Sequence, residues 1–442
     1  MSMEMKYSGN PWIGYIPKGW NTKRLKFSCK LFGRIGFRGY TADDLVDESE
    51  GAITLSPTNM NGIKLDFSKC SYLSWNKYYE SPEIMVETGD VLLVKTASVG
   101  KCSYVECLPK ETTVNPQILV LKEHKDCSKF IAYLFQTSVG EAYIDTTKGG
   151  STIYTISQEK IGNYEFAFPS IAEQHKITSF LDRKCAEIDE MIALQEKIVE
   201  ELKAYKQSVI TEAVTKGLNP DVPMKDSGIE WIGEIPERWS LYRIKYNTFL
   251  KGRIGWQGLN SNDFIDEGYC LITGTDFDNK GGINWDTCYR ISKERFDEDE
   301  LLHIKNGDLL MTKDGTVGKM AYIQNLPEEA SLNSHLLIIR QTTNIISNEF
   351  LYWVMLSNVF KRFCSIYQSG SIMSSISQST LGMMSCYCPS IEEQNSIVTY
   401  LKTKCTEIDS LINIKLSKID SLKEYKKSII YEYVTGKKEI TE

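Results

Sequence analysis

The chain has 442 residues, 42% hydrophobic and 25% charged, the composition of a soluble globular protein too long for one ordinary core. The N-terminal segment has no apolar core of signal-peptide length and no run of about 18 apolar residues occurs, so neither export nor a membrane span is expected. The 12 cysteines include no CxxC pair and only four histidines accompany them, so reduced thiols in a cytoplasm are expected rather than disulfides or a metal site.

Read in chain order, the sequence is a tandem duplication with a period of about 219 residues, far longer than a solenoid repeat. Trp12-Ile13-Gly14-Tyr15-Ile16-Pro17 with Trp20 returns as Trp231-Ile232-Gly233-Glu234-Ile235-Pro236 with Trp239. GRIGFRG (Gly33–Gly39) returns as GRIGWQG (Gly252–Gly258), and GDVLLVKTASVGK (Gly89–Lys101) as GDLLMTKDGTVGK (Gly307–Lys319). Residues 40–88 and 259–306, between these anchors, share little that aligns by eye. Short apolar runs with Gly, Asp and Asn punctuation predict an α/β or α+β domain in each copy, with strands at Val91–Lys95, Ile118–Leu121, Leu309–Thr312 and Leu336–Ile339. One helix is expected over Ser128–Tyr143 and its match over Asn348–Phe363.

Each copy ends in a long helix opened by PSIAEQ (Pro169–Gln174) or PSIEEQ (Pro389–Gln394), about Ile171–Lys216 and Ile391–Thr435. The stop signals are Lys216-Gly217 with Pro220, and Gly436-Lys437-Lys438. A three-four spacing of Ile188, Met191, Ile198, Leu202, Tyr205 and Val209 predicts an apolar seam. Ile408, Ile412, Ile419, Leu422 and Ile429 do the same, widened by Leu411 and Leu416, while Gln195, Lys415 and Lys418 interrupt the register. About 40 residues make roughly 60 Å of rod. Two such helices are expected to pair antiparallel with pseudo-two-fold symmetry, coiled-coil-like, separating two similar globular domains.

The net charge of −7 disfavours phosphate contacts, but its distribution favours them. Seven basic residues and no acid lie between Lys18 and Arg38, and five between Arg238 and Arg253. In the GRIG motifs, Arg34, Arg38 and Arg253 are candidates for phosphates or guanine edges, and Gln257, standing where Arg38 stands, for adenine. The competing reading is a tight turn whose arginine packs on the preceding Trp segment. Lys95, Lys101, Lys313 and Lys319 follow predicted strands and are candidates for phosphate positioning, against ordinary surface lysines. Lys148, Ser151 and Thr152, and in copy two Ser371, sit in polar loops suited to clamping a backbone. Base-reading residues are expected in the diverged stretches, which hold Asn59, Asn61, Lys64, Trp75, Lys77 and Tyr78 in copy one. Trp12, Trp20, Trp231 and Trp239 are expected to anchor each domain to the helices, and Cys185 and Cys405 to pack.

No motif for chemistry emerges. Asn115-Pro116-Gln117 and Asn219-Pro220-Asp221 lack the second proline and aromatic of an amino-methyltransferase motif. Gly100-Lys101-Cys102 and Gly318-Lys319-Met320 lack the first glycine and the Ser/Thr of a P-loop. Asp90…Lys95 and Asp308…Lys313 imitate half of a nuclease site, but a Gly-Asp turn before a strand explains them more simply.

W-I-G-x-I-P-x-x-W, G-R-I-G-[FW]-x-G and P-S-I-x-E-Q-x-x-I-x-x-x-L, repeated in order at one period, make the whole chain resemble the specificity subunit of type I restriction–modification enzymes. The resemblance implies two target-recognition domains (residues 1–170 and 220–390) and two helical regions (171–219 and 391–442). Each domain would read one half of an interrupted, asymmetric site in double-stranded DNA. The helical regions would bind two methyltransferase (modification) subunits, and motor-nuclease (restriction) subunits would join them. No catalytic residue, metal or cofactor is expected in this chain; S-adenosylmethionine, ATP and Mg are expected on the partners. The rival readings are a DNA-modifying or cleaving enzyme that retains two recognition domains, and a coiled-coil scaffold that binds no DNA.

Overall fold

The computed structural model describes residues 4–440 except 35, 151–152, 254–258, 260, 279 and 368–374. The chain forms two compact units, residues 1–196 with 417–442, and residues 197–416. The boundaries expected at 170, 219 and 390 separate globular segments from helices. The units instead divide each long helix near its middle, because half of each helix belongs to the core beside it.

In the first unit, one antiparallel sheet orders its strands 102–104, 91–94, 118–122 and 30–33. Val91–Val94 and Ile118–Leu121 are buried on both faces, which explains their unbroken apolar sequence. The second sheet orders 112–114, 51–55, 71–74 and 45–46, with the first pair parallel. The second unit repeats both sheets: 248–251, 336–341, 309–312 and 320–322, then 264–265, 289–291, 269–272 and 330–332. The diverged stretches therefore carry the same strands. They also share a turn, in which Asn59 Oδ1 accepts from Ser56 N (3.0 Å) and Asp276 Oδ2 from Thr273 N (2.7 Å).

The single helix expected over 128–143 is two, Ser128–Phe135 and Ser138–Thr147. Buried Thr137 makes the break: its hydroxyl donates to Leu134 O (2.6 Å) and accepts from Gly140 N (3.3 Å). Ser357 divides Asn348–Leu356 from Asn358–Tyr367 by donating to Val354 O (2.5 Å) and accepting from Val359 N (3.2 Å).

The long helices span Ile171–Lys216 and Ile391–Val434. Each ends at a glycine with positive φ, Gly217 (75°) and Gly436 (69°), the left-handed stop that glycine adopts without Cβ strain. The opening motif works through its last two residues. Glu173 and Glu393 accept the indole N–H of Trp20 (3.1 Å) and Trp239 (3.3 Å). Gln174 and Gln394, fully buried, accept from Cys127 N (2.8 Å) and Ser347 N (2.9 Å) at the start of the next-door helix. Trp20 and Trp239 are thus the expected anchors, whereas Trp12 is half exposed.

The apolar seam runs in a different register from the one read in the sequence. Burial falls on Ile188, Ile192, Gln195, Val199, Leu202, Lys206, Val209 and Ala213, a 4-3 alternation, while Met191 and Tyr205 are 43% and 56% exposed. In the second helix it falls on Leu401, Cys405, Ile408, Ile412, Lys415, Ile419, Leu422, Lys426, Ile429 and Tyr433, with Leu411 and Leu416 exposed. Of the polar residues that broke the apparent pattern, Gln195 and Lys415 are members of the true one, whereas Lys418 is exposed. Gln195 is buried with Oε1 unpaired among the described residues, and Lys206 and Lys426 lie partly buried along their stems.

Within the first unit, Phe180 meets Tyr433 (ring centroids 4.5 Å apart) and Asp189 pairs with Lys426 (2.6 Å), so the two helix segments run antiparallel. Ile429, Ile430, Tyr433 and Val434 join the core that holds Ile16, Trp20 and Leu181. Within the second unit, Lys206 pairs with Asp409 (2.7 Å), and Val209, Ala213 and Val214 join the core that holds Trp239, Ile397 and Leu401.

The register carries a test by urea denaturation of the full chain. Ile188→Ala is expected to cost about 2–5 kcal/mol, and Met191→Ala less than about 0.5 kcal/mol. A larger loss at Met191 would restore the register read from sequence.

Candidate nucleic-acid interface

In each domain, three segments far apart in sequence meet at one end of the strands of the first sheet. The strand 91–94 ends at Lys95, whose backbone N–H donates to Gln117 O (2.8 Å) and whose carbonyl accepts from Ile156 N (2.9 Å). In the second domain, Lys313 N donates to His335 O (2.9 Å) and its carbonyl accepts from Ile376 N (2.8 Å). The turn beyond needs a left-handed residue: Ala97 takes φ 65° and Gly315 takes 73°. The third segment is the GRIG glycine. A Cβ on Gly33 would lie 2.6 Å from Leu119 Cδ2 and 3.3 Å from Lys95 Nζ; one on Gly252 would lie 3.5 Å from Lys313 Nζ. The tightest neighbours of such a Cβ are Leu119 Cδ2 at Gly33 and Leu336 O (3.1 Å) at Gly252, so glycine lets the neighbouring strand approach, and the lysine lies alongside.

Lys95 and Lys313 are half-buried, and neither makes an ion pair among the described residues. Burial lowers the Lys95 ammonium below its ordinary pKa, the signature of a cation without a compensating charge. Lys101 and Lys319 are exposed on the same turns, Lys101 reaching Pro57 O (3.4 Å). Lys148 pairs with Asp145 (2.6 Å), which raises its pKa, and lies over the Tyr154 ring. Its loop reaches the Lys95 turn through the Gly149–Thr155 and Thr96–Thr155 bridges. Ser151, Thr152, Gln257 and Ser371 lie outside the described residues.

The arginines stand elsewhere. Arg34 is 5% exposed; its guanidinium donates to Arg38 O (3.3 Å), Thr113 Oγ1 (3.4 Å) and Val114 O (3.4 Å) and lies over Tyr40. Arg253, 3% exposed, donates to Leu332 O (3.1 Å) and Ser331 Oγ (3.1 Å) and pairs with Glu298 (3.3 Å). Both therefore tie the end of a first-sheet strand to the second sheet, and burial lowers both pKa values. The partner expected for a structural arginine was the Trp segment; the observed one is the neighbouring sheet. Arg38 faces Glu83 (3.5 Å).

The basic runs are partly neutralised: Lys18 pairs with Glu4, Lys23 with Asp126, Lys30 with Glu123 and Lys251 with Asp299. In the diverged stretch of copy one, Asn59 donates to Asp66 O (3.1 Å) and Lys69 O (2.9 Å), and Tyr78 is buried; Asn61 and Lys64 are exposed. Asp90 accepts from Glu87 N (2.8 Å) and faces Lys122, and Asp308 holds Arg340 through two oxygens (2.7 Å each). Both carboxylates are committed to the turn that starts the strand. What the sequence reading passed over is the pair flanking each lysine, Thr96 with Gln117 and Asp314 with His335. Their signal was a change of side-chain chemistry, Thr to Asp and Gln to His, next to positions the copies share, Lys95/Lys313 and Asn115/Asn333.

The family model described as type I restriction modification DNA specificity domain matches residues 48–204 and 255–424. The chain belongs to that family. It is similar to the type I restriction enzyme MjaVIII specificity subunit of Methanocaldococcus jannaschii, with 24% identity over 431 residues, 96% of this chain and 93% of the relative. It is also 24% identical to the StySPI specificity subunit of Salmonella potsdam, across 92% of this chain and 88% of that one. A solved structure concerned with complex assembly and conformational transition of the type I R-M system shares the fold. Its TM-score is 0.72 at 15% identity, over 95% of this chain and 98% of that chain.

If Arg253 is a clamp, Arg253→Met lowers stability by about 1–3 kcal/mol by stranding buried acceptors, and DNA affinity per folded molecule is unchanged. Affinity that falls with full stability retained would make it a direct contact.

Proposed function

We propose that this chain is the DNA-recognition subunit of a type I restriction–modification complex, each domain reading one half of an interrupted, asymmetric site. The observation that carries this is the twice-built lysine ledge: a half-buried cation without an ion pair among the described residues, laid across a glycine. A buried ammonium gains most from an anion that approaches it, and a DNA phosphate is such an anion. Lys95 and Lys313 act as the anchors, with Lys101, Lys319 and Lys148 extending the contact. Arg34 and Arg253 support the ledge from behind. Phosphate contacts fix register, and neighbouring side chains supply the sequence dependence.

The long helices are the surfaces for the modification subunits and the elements that set the unread gap. Met191, Leu194 and Tyr425 are exposed in the first unit, as are Leu411, Ile414 and Tyr205 in the second, apolar residues at matching positions of the two helices. Restriction subunits join through those partners. S-adenosylmethionine, ATP and Mg belong to the partner subunits, and the complex works in the cytoplasm. Among the described residues, no helix is long and apolar enough to cross a membrane.

The assembled complex tests the ledge through the salt dependence of its DNA affinity. Lys95→Ala and Lys313→Ala are each expected to weaken binding to all sequences alike and to lower the salt slope by about 1. Wild-type affinity and slope in both variants would remove the ledge from the interface.

A further inference from the structure

The two ledges share a frame and differ at Thr96/Asp314, Ala97/Gly315, Ser98/Thr316, Pro116/Ser334 and Gln117/His335, of which Thr to Asp and Gln to His change the hydrogen-bonding chemistry most. Lys95 and Lys313, Gly33 and Gly252, and Asn115 and Asn333 correspond, and each asparagine fixes the same turn. Asn115 Oδ1 accepts from Gln117 N (3.0 Å) and Asn333 Oδ1 from His335 N (3.1 Å). On that common frame, Thr96 and Gln117 flank the lysine in the first domain, and Asp314 and His335 in the second. An anchor kept in both copies, Lys95/Lys313 with Gly33/Gly252 and Asn115/Asn333, beside side chains that change chemistry is the arrangement expected of a reader mounted on an anchor.

We infer that Thr96 with Gln117, and Asp314 with His335, are base-reading pairs, the first matched to an A·T base pair and the second to a G·C base pair. This rests on the ledge being the DNA-contacting surface. In the major groove, A·T presents the adenine N6 amine and N7 acceptor beside the thymine methyl, while G·C presents two guanine acceptors beside the cytosine N4 amine. Gln117 carries the donor and acceptor that adenine requires. Its Oε1 is held by Asn115 Nδ2 (3.1 Å), a bond it exchanges for the adenine amine. Thr96 offers a methyl group for thymine; its hydroxyl faces Thr155 Oγ1 (3.3 Å). In the second domain the chemistry inverts. Asp314 supplies only acceptors, which suit cytosine N4. His335 has a 59% exposed side chain, and its Nδ1 lies 3.5 Å from Asp314 Oδ2. With Nδ1–H directed at Asp314, Nε2 donates to guanine N7 or O6 only in the imidazolium form of the ring, so the guanine contact requires a protonated His335. An aspartate beside the phosphate anchor repels the backbone unless a base amine meets it, so its presence itself points to a base contact.

The experiment exchanges the pairs in the complete complex with its modification subunits and maps the methylated motif in cells. D314T/H335Q is expected to change one position of the second half-site from G·C to A·T and leave the first half-site intact. T96D/Q117H is expected to do the converse in the first. Binding of a randomised duplex pool gives a readout independent of methylation, with about a ten-fold or greater change in preference at that position. An unchanged preference in complexes that assemble and melt like wild type overturns the inference, as does a change in both halves at once. If the exchanges do nothing but Lys95→Ala and Lys313→Ala weaken binding, the ledge stands and the readers lie elsewhere. If the lysine variants also bind normally, the ledge itself is excluded.

Discussion

Each recognition domain is completed by a helix segment from the other repeat. Ile429, Ile430, Tyr433 and Val434 lie some 400 residues from Trp20 in sequence and fill one core with it. Val209, Ala213 and Val214 do the same for Trp239. The reason is the amphipathic seam: a long helix with a 4-3 apolar face cannot bury that face against a small domain alone, and an antiparallel counterpart supplies the rest. The opening Glu-Gln of each long helix then locks the domain to the helix start through Trp and backbone partners. Duplication is what makes the exchange available, since each repeat brings both a domain that needs a segment and a segment to lend.

This constraint gives the ledge its stiffness. The lysine turns stand at the strand ends of sheets whose central strands are buried on both faces, and the arginines behind them are tied into the second sheet. A reader built on such a strand end holds its register, so changing a flanking side chain changes what is read without moving the anchor. The second sheet keeps the same strand order in both domains although residues 40–88 and 259–306 have lost visible similarity. Backbone pairing constrains the alternation of apolar residues and a turn such as Ser56–Asn59 or Thr273–Asp276; it leaves identity free elsewhere.

The sequence carried the duplication, the long helices to within a residue, and four strands almost to the residue, because each rests on a strong local pattern. It misled where a tertiary partner decides. Met191 and Tyr205 fit a three-four spacing better than Gln195 and Lys206 by hydropathy, yet the polar pair is on the seam, Lys206 by burying its stem and Gln195 by burying its whole side chain. Thr137 and Ser357 break helices through hydroxyls whose partners are one turn away, a signal too weak to separate from a polar residue within a helix. The lysines and arginines between 18 and 38 looked like one basic stripe, but Lys18, Lys23, Lys30 and Arg38 find acidic partners in Glu4, Asp126, Glu123 and Glu83. Charge runs in sequence are not charge patches in space. Arg34 and Arg253 stood out by motif, and their role in joining two sheets could not be read without knowing that strands 112–114 and 330–332 lie beside them.

The exchange of helix segments is tested most directly by hydrogen exchange on the chain truncated after Leu416. Removing 417–442 takes Ile429, Ile430, Tyr433 and Val434 out of the first core and leaves the second core whole. The expected result is lost protection in strands 91–94 and 118–122, with protection retained in 309–312 and 336–341. Equal protection of both sheets would contradict the account, because the first domain would then be complete without the borrowed segment.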